Sequence, residues 1–382
     1  MSTSNSRPKP LRVAMIAFPE NHHTRRWSRA LAAEGMDVHV IGISGDDLTG
    51  HVHNRGPDGA HAQSIPVLSA ATRWYHAIAQ ARPDVVYMQW LFARPAMLLA
   101  LDPDWPLVTT VMGSDVRQDP ALSESVLERT CRTALLLRSH TITAVAQPLA
   151  DVVADYHPDL RSHIEIVPFG VDTAIFHPPT TPRHRTPGSL LRVGHFKTDD
   201  SVYGRLDLLR ALVILQSKGQ PVAVHLAGRR STGHKEVNEF LAEHPELAAC
   251  VVDHGALDVD AIAEVYREID VYVMNSLQES FGVAAAEAMA SAVPVVASDV
   301  GGVRTLVRSG DTGLLVKPAD PEGLAAALAE FANYPDLAES CGQRGCARVR
   351  SRFEWHDSVT QLATLLRAAA TSHVPARPGL AA

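Results

Sequence analysis

From residue 11 the chain runs "LRVAMIAFP", a compact apolar stretch, into the polar "ENHHT" and then "RRWSRALAAEG", whose apolar positions recur at helical spacing. His22 and His23 fall in the loop, with Thr24 and Arg25 opening the helix. Gly35 stops that helix, and "MDVHVIGI" follows as a second strand. Strand, helix and strand with a short return predict the βαβ unit of a parallel sheet. "PDVVYMQW", "PLVTTVMG", "SHTITAVA" and "HIEIVP" read as further buried strands between helical stretches.

The alternation breaks at residues 177–189, "HPPTTPRHRTPGS", where Pro178, Pro179, Pro182, Pro187 and Gly188 prevent a continuous helix or central strand. It restarts with the strand "LLRVGHF", the helix "RLDLLRALVILQSKG" and the strand "VAVHLAG". "CVVDHGAL", "VYVMNS", "VPVVAS" and "TGLLV" follow, and a last helical stretch begins at residue 355. The fold class expected is therefore α/β, with two Rossmann-like domains whose parallel sheets face across a cleft. Open sheets of this kind bind ligands beyond the carboxyl ends of their strands, where loops and helix N-termini converge. A nucleotide suits such a cleft, but a fold alone names no reaction.

Composition narrows the partners more than the fold. The 382 residues carry 20% charged side chains and a formal charge of −7, without the basic excess expected of a nucleic-acid binder. Cys131, Cys250, Cys341 and Cys346 show no CxxC spacing and read as reduced thiols. "MSTSNSRPKP" lacks the apolar centre of a signal peptide, and no apolar run is long enough to span a bilayer. A cytoplasmic protein is expected, with peripheral contact at the inner membrane face left open.

The stretch with the most chemistry is "ESFGVAAAEAMASAVPVVASDVGG", residues 279–302. "VYVMNS" is a strand, so "LQESFG" lies at its carboxyl end. The Ala-rich segment after it is strongly helical, starting near Ser280 to Val283. Glu279 then stands just ahead of the helix and Glu287 about one turn inside it. Gly282 permits close backbone approach, and the free N–H groups of a first turn suit hydroxyls and phosphate oxygens. A carboxylate accepting from vicinal hydroxyls is one way to hold a ribose. Taken alone, the same spacing also fits a helix-dipole partner and a solvated helix position.

Here the chain resembles the retaining GT-B glycosyltransferases, specifically the GSD-loop branch of glycosyltransferase family 4. "ESFGVAAAE" is similar to the family's E-x7-E element, and "SGDTGLLVKPADPEGLAAAL" and "YREIDVYVMNSLQES" extend the likeness. "IVPFGVDTAIFHP" is similar to its domain-crossing segment, and "FEWHDSVTQL" to its closing helix. The resemblance implies a domain of residues 1–180 on the acceptor side, completed by a helix at 355–370. It implies a donor domain at 181–354, with a flexible tail at 371–382.

By that likeness Glu287 holds the donor ribose and Glu279 lies by the sugar. The amides of Phe281, Gly282 and Val283 meet sugar or phosphate, and Gly255 begins the base-contacting loop. The family's diphosphate-binding arginine and lysine are absent: "RVGHFKTDDSVYGRL" has His195 and Tyr203 in their places. Lys197 is the preferred replacement clamp, with His195 and Arg205 as further donors. His22 and His23 replace a glycine-rich loop and are candidate acceptor or sugar contacts, or plain surface residues. Met112 stands where many members have a histidine, followed by Gly113, Ser114 and Asp115. Ser114 and Asp115 could bind a sugar or acceptor hydroxyl, while a capping role for Asp115 stays open.

The activity implied is transfer of a hexose, with retention, from an NDP-sugar to a sugar, lipid-linked or small-molecule hydroxyl. The setting implied is bacterial glycan, glycolipid or glycosylated-metabolite synthesis. No metal or other cofactor is expected, and no nucleic-acid partner. Arg129, Arg132 and Arg138 could mark a membrane-facing surface for a lipid-linked acceptor. A sugar-nucleotide binder without catalysis is the alternative, motivated by the missing cations. A two-carboxylate hydrolase fits less well because both glutamates lie on one segment. A nicotinamide dehydrogenase lacks its GxGxxG.

Overall fold

The structure, a computed structural model, describes residues 9–42, 67–91, 99, 104–116, 126–181, 184–231 and 233–372. Most of the expected tail, from residue 373, lies outside the described residues. Contacts divide the chain into two units. One holds the residues up to Val167 and those from Val359 onward; the other is Pro168–Ser358.

The first unit contains β1 (Arg12–Ala17), α1 (His22–Ala33), β2 (Asp37–Gly42), α2 (Val67–Ala81), β3 (Val85–Gln89) and β4 (Leu107–Val111). It continues with α3 (Val126–Arg138), β5 (Thr141–Ala144), α4 (Gln147–Tyr156) and β6 (Ile164–Ile166). Its strands form one parallel sheet in the order β2-β1-β3-β4-β5-β6. Every residue of β3, β4 and β5 is buried, which is why these strands read as near-continuous apolar runs rather than alternating ones. The helix α1 starts two residues earlier than its apolar periodicity suggests. The Asn21 side chain accepts the His23 N–H at 2.8 Å, so the cap precedes both histidines and puts them in the first turn.

The second unit contains β7 (Leu191–Phe196), α5 (Arg205–Ser217), β8 (Val222–Ala227), α6 (His234–Glu243), α7 (Pro245–Ala248), β9 (Val251–Asp253) and α8 (Val259–Glu268). Then come β10 (Val271–Met274), α9 (Val283–Ala290), β11 (Val295–Ser298), α10 (Val303–Leu306), β12 (Gly313–Val316), α11 (Pro321–Asn333) and α12 (Pro335–Arg352). Its parallel sheet has the order β12-β11-β10-β7-β8-β9. Strand order reverses between β7 and β10, so the crevice at their carboxyl ends is where such a sheet binds ligands.

Helix α13 (Trp355–Thr371) carries the chain from the second unit back to the first. Within the first unit Gln361 donates to the Ile166 carbonyl at 3.0 Å and Arg367 to the Glu34 carbonyl at 2.8 Å. Among the described residues all four cysteines are free thiols, and no helix is long and apolar enough to cross a membrane.

Candidate active site

In the second unit the loops leaving β7 and β10 meet at the reversal of strand order. Lys197 follows the last residue of β7, and its Nζ lies 2.7 Å from Glu279 Oε2. Their side chains are only 17% and 14% exposed, so the pair is largely shielded from screening by solvent. Burial pushes the Lys197 ammonium toward losing its proton. The Glu279 carboxylate more than offsets this, helped by Tyr203 and Glu287, and the net shift is upward. Lys197 also sits 4.9 Å over the Tyr203 ring. The residue in the family lysine's position therefore supplies an aromatic face under a lysine that arrives from β7.

The helix α9 begins just beyond Glu279. Gly282 is its N-cap at φ +98°, and no side chain caps the first turn, leaving N–H groups without helical acceptors. The left-handed backbone and the nearby Met274 and Leu306 side chains explain why glycine stands there. Phe281 is 1% exposed and packs on Phe169 and Phe353, so it can offer a ligand only its backbone. Val283 is the first helical residue. Glu287 sits one turn in, and the buried Tyr266 hydroxyl reaches both the Ala284 carbonyl at 2.7 Å and Glu287 Oε2 at 3.3 Å. Gly255, at φ +65°, faces open space beside its Cα, and its carbonyl accepts the Gly228 N–H at 2.8 Å.

His195 and Arg205 are placed differently from expectation. His195 is fully buried, with Nε2 3.1 Å from the Tyr203 carbonyl. Burial, with the nearby Arg205 charge, pushes its pKa down to about 3, so the ring is neutral near pH 7 and Nε2–H donates. Arg205, 7% exposed, donates to the Lys197 carbonyl and to the Ala227 carbonyl at 3.2 Å. Both side chains turn into the protein and fix the loop that presents Lys197. The sharp entry into α5 explains this: Gly204 is left-handed at φ +72°, and Asn275 Nδ2 donates to its carbonyl at 2.5 Å. A Cβ at Gly204 would run into the Asn275 carbonyl. Gly204→Val is accordingly expected to cost roughly 2–4 kcal/mol in urea unfolding. An unchanged midpoint would show that the turn is not constrained as described.

In the first unit the reversal of strand order lies between β1 and β3. Phe18 and Trp90, which follow these strands, pack edge to face at 5.3 Å, and Thr24 donates to Gln89 at 3.0 Å. His22 and His23 have ring centroids 3.7 Å apart at the start of α1. Ser114 is exposed. Asp115 accepts from the backbone N–H groups of Leu91 at 3.0 Å, Met112 at 3.0 Å and Gly113 at 2.7 Å. Burial raises its pKa despite these bonds. The carboxylate thus organises its own loop rather than standing open to a hydroxyl. Arg132 donates to the Asp115 carbonyl at 3.3 Å and Arg138 to the Trp105 carbonyl at 2.9 Å; both are half-buried, whereas Arg129 is exposed.

Residues 190–348 match the family model "Glycosyl transferases group 1", and residues 21–175 match "Glycosyltransferase Family 4". The D-inositol 3-phosphate glycosyltransferase of Xylanimonas cellulosilytica is 32% identical, over 77% of this chain and 74% of its own. The chain belongs to the family 4 glycosyltransferases. It is also similar to the glycogen synthase of Mycobacterium tuberculosis, 27% identical over 94% of this chain and 93% of that one. Among solved structures, sucrose-phosphate synthase from Thermosynechococcus elongatus aligns with a TM-score of 0.77 at 19% identity, covering 94% of this chain and 98% of that one. Anabaena HepE in complex with UDP and glucose aligns with a TM-score of 0.71 at 17% identity, covering 94% and 100%. The fold of this glycosyltransferase is thus GT-B, as its two six-stranded sheets and the sequence resemblance require.

Several features of this glycosyltransferase escaped the sequence reading. Tyr266 lies inside the quoted "YREID", yet its hydroxyl contact with Glu287 crosses from α8 to α9. Arg229 and Arg230 follow Gly228 at the carboxyl end of β8; both are exposed and in no ion pair with a described residue. A "GRR" directly after an apolar run was the available signal. Asp199, 2% exposed, accepts from the Ser231 N–H at 2.5 Å, the Ser231 hydroxyl at 2.7 Å and His234 at 2.9 Å. That network ties the arginine-bearing loop to the loop after Lys197.

Proposed function

We propose that this glycosyltransferase moves a hexose from an NDP-sugar to an acceptor hydroxyl with retention at the anomeric carbon and without a bound metal ion. The observation that carries the reading is the Lys197–Glu279 pair beside the uncapped first turn of α9. An ammonium and uncapped amides are groups that stabilise the charge a departing diphosphate develops, which supports the reading. In the step proposed, the bond between the anomeric carbon and the diphosphate oxygen breaks while the acceptor oxygen bonds to the same face. The acceptor's proton passes to the departing diphosphate, so no protein nucleophile is needed. Lys197 holds the diphosphate, Glu287 the ribose hydroxyls and Glu279 the sugar, while His195 and Arg205 keep Lys197 in place.

A uridine diphosphate donor is favoured by the complex of the Anabaena relative with UDP and glucose. The acceptor proposed is a sugar, a lipid-linked or a small-molecule hydroxyl, within glycan, glycolipid or glycosylated-metabolite synthesis in the cytoplasm. For a lipid-linked acceptor, Val126 and Leu127, 79% and 57% exposed at the start of α3, would supply apolar contact with the inner membrane face beside Arg129.

Thermal-shift and calorimetric titrations with UDP-, GDP- and dTDP-sugars test the donor, and NMR of the product's anomeric proton tests retention. Glu287→Ala is expected to weaken donor binding at least about tenfold, a loss of roughly 1.4 kcal/mol. Glu279→Ala is expected to leave the donor Kd within a fewfold range and to lower kcat instead. Unchanged kinetics in both variants would remove the site assignment. Nucleotide binding without turnover on any acceptor would support the non-catalytic alternative.

A further inference from the structure

A cavity of about 390 Å³ lies at the opposite edge of the second sheet from Glu279 and Gly282. Topology places it there: Ile269 and Asp270 lead into β10, Val293 and Pro294 lead into β11, and all four line the cavity. They sit at the amino ends of the strands whose carboxyl side carries the candidate donor loop. The volume is within the range of small-molecule sites.

Three of its charged residues are held in ion pairs. Asp270 is paired with Arg185 and Arg192, each at 3.6 Å, and Arg267 with Glu264 at 2.6 Å. Arg350 is exposed on α12 and in no ion pair with a described residue. The acids on that helix, Asp336 and Glu339, are 14 and 11 residues before it. At 1.5 Å per residue they are roughly 16–21 Å away, at the other end of the cavity. The remaining lining includes the apolar Pro178, Ile269, Val293 and Pro294, with the fully buried Tyr266 in the wall.

The cavity also touches the supports of α9. Tyr266 lines it and reaches the Ala284 carbonyl and Glu287 Oε2. Ser291 lines it and donates from its hydroxyl to the Glu287 carbonyl at 3.0 Å. Ala292, the next residue, is left-handed at φ +57°, a backbone that a non-glycine residue holds only when its surroundings enforce it.

We propose that this cavity is a second binding site, taking a compact ring-bearing molecule with one anionic group against Arg350. Its occupancy steadies α9 through Tyr266 and Ser291. The consequence for donor affinity rests on the function proposed above; the binding and the effect on α9 do not.

The test is a fluorescence titration of the full chain with anilinonaphthalene sulfonate, a fused-ring anion. One saturable site is expected. Arg350→Glu should weaken it by about fivefold, as loss of an exposed ion pair does, and Ala347→Trp, which projects a ring into the cavity from an exposed position, should abolish it. With the dye bound, amide hydrogen exchange of Val283–Ala290 should slow in the unmodified chain and stay unchanged in Tyr266→Phe. Dye binding that survives both cavity variants, or that UDP displaces competitively, overturns the site. Exchange in α9 that ignores the dye overturns the link. If UDP fails to bind at all, the donor reading falls while the dye series still decides this one.

Discussion

Replacing Lys197 by methionine is expected to lower kcat/KM for transfer from an NDP-sugar by about 10²–10³-fold, the loss seen when one preorganised charge-stabilising donor is removed. The side chain length is nearly kept, so the effect isolates the ammonium. Arg205 and His195, the other candidate donors flanking that loop, are held by protein carbonyls and cannot take over. Arg229 and Arg230 can reach the region only from a different strand end. Removing Lys197 also leaves Glu279 without its 2.7 Å partner, so a structural cost has to be separated from a catalytic one. Lys197→Arg keeps the charge and the Glu279 contact; it should retain stability and recover part of kcat, whereas Lys197→Met should not.

The proton on Lys197 gives the same prediction a pH signature. Its pKa is raised overall: burial works against the charge, and Glu279 outweighs burial. A raised lysine is fully charged below its ordinary value and loses its contribution only as pH climbs through the folded value. Any alkaline loss of activity due to this residue should therefore lie above the ordinary lysine range, near 10.5. Activity of Lys197→Met within threefold of the unmodified enzyme would end the assignment of Lys197 to the diphosphate.

The two sheets were legible because most of their parallel strands leave near-continuous apolar runs, and because Pro178 to Gly188 interrupts the alternation between them. Glu279 and Glu287 were legible as positions, since strand end, glycine and Ala-rich helix follow each other locally. What a sequence hides is where a side chain at a strand end points. His195 and Lys197 are two residues apart, yet one is fully buried and the other meets Glu279 across the strand reversal. Arg205 reads as an available cation until the left-handed turn at Gly204 aims it back at the Lys197 carbonyl. Asp115 offers a milder lesson. In "GSD" the carboxylate turns back onto the backbone N–H groups two and three residues before it, a loop-holding role that the residue types already allow. The Tyr266 contact with Glu287 is tertiary, between α8 and α9, and no local pattern encodes it.

Acidification should expose the structural role of His195. The ring is neutral in the fold with a pKa near 3, because burial and the Arg205 charge oppose protonation, whereas an unfolded chain protonates it near 6.5. Between those values the unfolded state holds more protons than the folded one, so stability from this residue is complete above the unfolded pKa and declines as pH falls. By pH 5 the loss amounts to about 2 kcal/mol for one such group. His195→Gln keeps a donor for the Tyr203 carbonyl and cannot titrate. Urea unfolding of both proteins from pH 8 to pH 5 should thus show the unmodified chain losing about 2 kcal/mol more than the variant. The other histidines titrate in both proteins and cancel in the difference. Parallel pH profiles would mean that His195 is accessible to protons in the fold. It would then be free to serve as a cationic contact for a diphosphate after all, and the supporting role assigned to it, with Lys197 as the sole clamp of that loop, would have to be withdrawn.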